Sequence, residues 1–148
     1  MNDASKEKVA MIQKEGFYLS TPSGTSMLPM LAGGVDQAVI VALTGKAKKG
    51  DVLLYEDKDG QNVLHRVIKV KSDGYLLRGD NRYYTEFVPF DRIIGILASY
   101  FKGEKQIDCK KSLRYRMYSK RRILTYPMRR ASAAVLRRLR RKHARRLP

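Results

Sequence analysis

In Ser23-Gly24-Thr25-Ser26-Met27-Leu28-Pro29-Met30-Leu31, a hydroxyl residue, Ser26, follows a glycine-bearing turn and precedes a proline that stops whatever begins there. Serine is a poor nucleophile until a base takes its proton, and it attacks only where the backbone leaves it open to substrate. Gly24 permits close approach and unusual dihedrals, while Pro29 fixes its own φ and pushes Leu28 toward extended geometry. The same residues are ordinary turn chemistry, so the rest of the chain has to supply a base. His65, within Val63-Leu64-His65-Arg66-Val67-Ile68-Lys69-Val70, is a residue of the right type, because imidazole exchanges protons near neutrality. A lone histidine in a strand pattern also has a plainer reading as a packed or surface residue.

Positioning such a pair requires a scaffold, and the chain reads as mainly β. Ala4 to Glu15 is weakly amphipathic and ends at Gly16, which predicts a short N-terminal helix. Phe17 to Ser20 reads as a strand entering the serine stretch, and Gly33-Gly34-Val35-Asp36 as the turn leaving it. Ala38 to Leu43 is a β-branched apolar run of strand length. Asp51 to Tyr55 and Val63 to Val70 flank an acidic, glycine-bearing loop and predict a hairpin. Ser72-Asp73-Gly74 turns the chain into a further strand, Tyr75 to Arg78, which Gly79-Asp80-Asn81 breaks. Arg92 to Phe101 is the last long strand. Closely spaced strands with no helix between them predict a coiled antiparallel sheet or partly open barrel, with a short N-terminal helix and basic C-terminal helices.

Composition divides the chain unevenly. Its 148 residues and 43% apolar content suit one core, and the formal charge is +17. Met1 to Cys109 holds 15 Lys/Arg against 14 Asp/Glu, whereas Lys110 to Pro148 holds 16 Lys/Arg and no acid. The expected organisation is therefore a helix at 1–16, a β domain at 17–109 and a basic helical tail at 110–148. In that tail Leu113, Met117 and Leu124 recur near helical spacing, Pro127 breaks the pattern, and Val135, Leu136, Leu139, His143 and Leu147 resume it among arginines, which predicts two basic amphipathic helices. The single cysteine, Cys109, can form no internal disulfide and suits a reducing compartment. No secretory signal is visible at the N-terminus, and no apolar run approaches the ~20 residues of a spanning helix. A cytoplasmic protein, peripheral on the membrane, is expected.

The motifs G-T-S-M-L-P, G-D-V-L-L-Y, L-H-R-V-I-K-V, L-R-G-D-N-R and D-R-I-I-G-I-L occur in that order between about Ser20 and Phe101. In this order they resemble the serine peptidase superfamily of type I signal peptidases and LexA-type self-cleaving repressors. The resemblance implies the sheet architecture of that superfamily, with Ser26 as nucleophile and His65 as base, as in the endoplasmic-reticulum and archaeal-like branch; other branches carry lysine. Lys69 lies outside the matching position and reads as a solvated or strand-edge residue, although side chains repeating every second residue would set it on His65's face.

A histidine base needs a carboxylate to fix its tautomer. Two fit the family order: Asp80 in the G-D-N motif and Glu86, which falls where the histidine branch places an acidic residue, with Glu for the usual Asp. Glu86 is preferred as the partner and Asp80 as structural support, and both remain open. Asp91, before Arg92, resembles the D-S-R position and is expected to hold the loop beside the site. Many relatives place a hydroxyl two residues before the nucleophile; here Gly24 stands there, so the oxyanion hole is expected to use backbone N–H groups, that of Ser26 included, with Ser23 or Thr25 helping. No metal or cofactor is called for.

The resemblance implies a serine endopeptidase that cuts a peptide or protein precursor through an acyl-enzyme, binding it as an added strand. Alternatives are a LexA-type self-cleaving regulator, for which 25 residues before Ser26 are too few to hold a helix-turn-helix domain, and a catalytically silent fold that binds nucleic acid or membrane. For the tail at 110–148 an anionic membrane surface is the preferred partner, because polybasic amphipathic helices suit it. Nucleic acid is the lesser alternative, since no base-reading motif accompanies the charge.

Overall fold

A computed structural model describes residues 1–144, the side chains of residues 139–144 excepted. The expected apolar positions Leu139, His143 and Leu147 fall outside what it describes for side chains. Its centre is one open antiparallel sheet of eight strands: β1 (Tyr18–Ser20), β2 (Gln37–Val41), β3 (Val52–Glu56), β4 (Asn62–Val70), β5 (Gly74–Arg78), β6 (Glu86–Pro89), β7 (Ile93–Lys102) and β8 (Lys105–Asp108). The strands run in the order β1-β2-β7-β3-β4-β5-β6, and β8 pairs with β7. Helix α1 (Asp3–Glu15) precedes the sheet, and α2 (Leu113–Leu124) and α3 (Tyr126–Ala144) follow it. Among the described residues no helix is long and apolar enough to cross a membrane.

Alternation along β3 explains how the sheet makes two cores. All five of its residues are buried. Val52 and Leu54 join Met27, Met30, Leu31, Ile40, Leu64, Leu97 and Tyr100 on one face, while Leu53 and Tyr55 join Val67, Tyr75, Leu77 and Val88 on the other. Successive side chains of a strand point to opposite faces, so a strand covered on both sides reads as a continuous apolar run, as Val52 to Tyr55 does.

α1 forms where Asn2 accepts a hydrogen bond from Ser5 N at 2.9 Å and Gly16 returns its N–H to Ile12 O at 2.9 Å. Ile12 enters the first core, and Asn2 N donates to Glu56 Oε2 at 2.7 Å, which ties the helix to the β3–β4 hairpin.

Two strands were not anticipated, β6 and β8, both at the sheet's margin. The last expected strand also begins one residue later, because Phe90 to Arg92 is a short 3-10 turn. The tail differs from a detached appendage. Tyr115 is part of the first core, Ser119 is buried, and α2 is thereby joined to the sheet. The break between α2 and α3 falls at Thr125, which leaves Pro127 in the first turn of α3, where its missing N–H costs nothing.

Candidate active site

The loop from Thr21 to Asp36 carries Ser26 between β1 and β2, and the apolar side chains that follow the serine hold it down. Met27, Met30 and Leu31 are buried in the first core, while Ser26 stays half-exposed. Gly24 has φ +82°, a region that side chains rarely enter, and Gly33 packs so closely that a Cβ there would stand 2.2 Å from Gly24 O. The far end of the loop is closed by Asp36, which accepts from Ala32 N at 2.7 Å and pairs with Lys102 at 3.2 Å.

β4 delivers His65, which is 3% exposed. Its Nδ1 lies 2.8 Å from Glu86 Oε1 and 2.9 Å from Tyr55 Oη, and the Tyr55 hydroxyl donates to the same Glu86 oxygen. Glu86 titrates below the usual carboxylate range. The hydrogen bond from His65 is the chief cause, burial opposes it, and the Tyr55 bond adds to it. Tyr55, by contrast, is pushed well above the usual phenol range, by burial first and then by its bond to Glu86. An ionised Glu86 can only accept, so Nδ1 carries the ring proton and Nε2 is left as the basic nitrogen.

Gly79 stands between that nitrogen and the backbone of the serine. A Cβ at residue 79 would stand 2.9 Å from His65 Nε2 and 2.7 Å from Ser26 O, so these two atoms are no further apart than the sum of those distances. Asn81 fixes the same junction by donating its N–H to Ser26 O at 2.7 Å and its side-chain amide to Thr25 O at 3.2 Å. Ser26, His65 and Glu86 line one cleft of about 360 Å³, together with Ser23, Gly24 and Tyr84. The Ser26 hydroxyl makes no hydrogen bond to His65, whose partners are Tyr55 and Glu86. Its N–H has no acceptor among the described residues and is free for an oxyanion.

The other proposed residues fall in different places. Asp80 is 5% exposed and is taken by Arg66, whose Nε and Nη2 reach its two carboxylate oxygens at 2.7 Å each, and Tyr118 donates to it at 3.0 Å. Successive residues His65 and Arg66 point to opposite faces of β4, so one carboxylate serves each. Burial works against the charge on Arg66, and the ion pair with Asp80 overcomes it and raises the guanidinium's pKa.

Thr25 is exposed and does not line the cleft; its carbonyl holds Asn81 instead. Asp91 is exposed on the 3-10 turn and also lies outside the cleft lining, while its neighbour Arg92 donates to Asp57 O at 3.1 Å. Lys69 is exposed and sits beyond a register shift between Val67 and Lys69, so the every-second-residue argument that placed it on the face of His65 does not hold.

Three contributors were not assigned roles from the sequence. Tyr55 was seen only as the end of a strand, yet its place across from Val63 on a neighbouring strand sets its hydroxyl within reach of His65. Gly79 was seen as a strand breaker, and Arg66 as part of a motif. A glycine directly before Asp80-Asn81 was the available signal for close approach.

α2 and α3 grip the Gly79–Tyr84 segment from outside. Arg122 donates to the Asp80 carbonyl and to Leu28 O, the latter at 3.3 Å, and Arg129 reaches the Asp80 carbonyl at 2.9 Å. Tyr126 donates to Tyr83 O at 2.7 Å and lies under Arg78, whose guanidinium carbon is 3.3 Å from the ring centre. Among the described residues no group of three or more His, Cys, Asp or Glu side chains is placed to hold a metal ion. Compared with known proteins, the chain matches no family model and no curated protein.

Proposed function

We propose that the chain is a serine endopeptidase that cuts a peptide or protein precursor, with Ser26 as nucleophile, His65 as general base and Glu86 as the carboxylate that orients it. The observation that carries this reading is the position of His65: Nδ1 is held by Glu86 at 2.8 Å, and Nε2 is turned to Gly79, which also packs on the Ser26 carbonyl, in the cleft that Ser26 and His65 share. The same reading extends the motif order to membership of the signal-peptidase and LexA-like superfamily and its sheet type.

In the reaction His65 Nε2 takes the Ser26 hydroxyl proton as Oγ bonds to the scissile carbonyl carbon. The carbonyl oxygen becomes an oxyanion, which the Ser26 N–H stabilises. The C–N bond breaks as the imidazolium returns its proton to the leaving amine, and an ester to Ser26 remains. Water, deprotonated by the same nitrogen, then hydrolyses the ester and restores the serine. Glu86 stays ionised throughout and stabilises the imidazolium.

A peptide substrate is supported by the edge that the cleft presents. β3 pairs with β4 from Asn62 to Arg66, but β5 joins β4 only from Arg66 onward. Among the described residues Asn62 to His65 therefore has no strand on its second side, and all four residues line the cleft. An extended chain can pair with that row of backbone groups and bring its carbonyl to Ser26. Peptide termini from cells carrying the wild-type chain, compared with cells carrying Ser26→Ala, test the reading. New termini that depend on Ser26 are expected; identical termini in the two would overturn it.

A further inference from the structure

The apolar stripe of the tail is not the face that the fold uses. On α2 the inward face is Tyr115 and Ser119, both buried. Leu113, Met117 and Leu124 are 65%, 63% and 76% exposed. At about 100° per residue, positions 113, 117 and 124 share one side of the helix, and Tyr115 and Ser119 lie on the opposite side. The exposed stripe therefore cannot be turned to the core while Tyr115 stays there. On α3 Met128, 74% exposed, and Val135, 56% exposed, are seven residues apart and so share one side of that helix.

Cations flank the stripe. Arg114, Arg116, Lys120 and Arg121 border it on α2, and Arg130, Arg137 and Arg138 are exposed on α3. Residues 110–148 carry 16 Lys/Arg and no acidic residue, so no carboxylate of the tail neutralises them. Large side chains in water amid unopposed positive charge fit a partner that is both anionic and apolar just below its surface. A nucleic acid meets the charge but offers nothing to Leu113, Met117, Leu124 and Met128. A bilayer with anionic headgroups meets both.

We propose that the outward face of α2 and α3 docks on an anionic bilayer surface, with Leu113, Met117, Leu124, Met128 and Val135 entering the interface and the surrounding lysines and arginines on the headgroups. The helices lie in the interface and do not cross it. This docking stands apart from the chemistry assigned to Ser26, and its test does not use activity.

Sedimentation of the full chain with vesicles of phosphatidylcholine alone, and with vesicles containing one-third phosphatidylglycerol, reads the proposal. The expected result is binding to the anionic vesicles only, weakening as salt is raised. Met117→Asp with Leu124→Asp changes two exposed side chains and should leave the thermal midpoint in place, while vesicle binding falls by at least about tenfold. Replacing Lys120 with Gln should weaken binding by about fivefold, the value of one basic residue at such a surface. Absence of vesicle binding overturns the proposal, as does undiminished vesicle binding by the Met117→Asp, Leu124→Asp variant. Binding of a short single-stranded RNA with no binding to anionic vesicles overturns it in favour of nucleic acid.

Discussion

Glu86 and Asp80 are six residues apart and both acidic, yet one holds His65 and the other Arg66, and substitution separates them. Glu86→Gln leaves a neutral amide beside His65 Nδ1, which no longer fixes the tautomer. Turnover should fall by roughly 10²–10⁴ with the fold intact, read as the rate of Ser26-dependent cleavage or labelling. Asp80→Asn strands the Arg66 guanidinium, which is 1% exposed, and should cost about 3–5 kcal/mol in a urea titration. If instead Glu86→Gln unfolds the chain and Asp80→Asn only slows it, the assignment of the two carboxylates is reversed. The pH dependence follows from sign. Glu86 is held below its unfolded titration chiefly by the His65 hydrogen bond, so its contribution to stability is present above that titration and is lost as pH falls through the folded value. Urea midpoints of wild type and Glu86→Gln should therefore start to converge as pH falls below the titration of a free glutamate, about 4.3, and meet below the lower folded value. A difference that persists unchanged in acid would contradict this.

Elements, rather than single residues, bring the site together: the Thr21–Asp36 loop, the first half of β4, the start of β6 and the Gly79–Tyr84 segment. Gly79 is where they meet. Its backbone lies outside the left-handed region, so Gly79→Ala costs space alone, and the added carbon would meet Ser26 O, Arg82 Cγ and His65 Nε2, all under 3.0 Å. Serine-directed labelling should drop by about 10² or more, in line with the effect of displacing reacting groups by an ångström. Near-normal labelling of Gly79→Ala would mean that the serine and the imidazole are not held across this glycine. Much of this level was legible in the chain. α1, the β3–β4 hairpin and the turn into β5 follow from apolar periodicity with glycine-bearing loops between. β6 and β8 were not, because Glu86-Phe87-Val88-Pro89 and Lys105-Gln106-Ile107-Asp108 are short margin strands held by backbone pairing, without a strong apolar pattern. The choice between Glu86 and Asp80 was close from sequence. It turns on β4 alternation, which sends Arg66 to the side of α2 and leaves His65 for Glu86.

At the scale of the molecule, one near-neutral sheet carries a basic helical pair that braces it from outside. Leu113, Met117 and Leu124 have helical spacing, but the inward face of α2 is Tyr115 and Ser119. Arg66 is buried beneath that helix and needs acceptors; Ser119 Oγ and Gly50 O take its Nη1 at 2.8 Å each. A polar inward face of this kind leaves no apolar period to read in the chain. The brace reaches the cleft through Arg122 and Arg129 at the Asp80 carbonyl, so the tail and the Gly79–Tyr84 segment are joined. Labelling with a fluorophosphonate, located by mass spectrometry, reads whether His65 activates Ser26. Modification of Ser26 is expected in the wild-type chain, and loss of that modification in a folded His65→Ala variant. An unlabelled wild-type Ser26, or labelling that persists without His65, would contradict it.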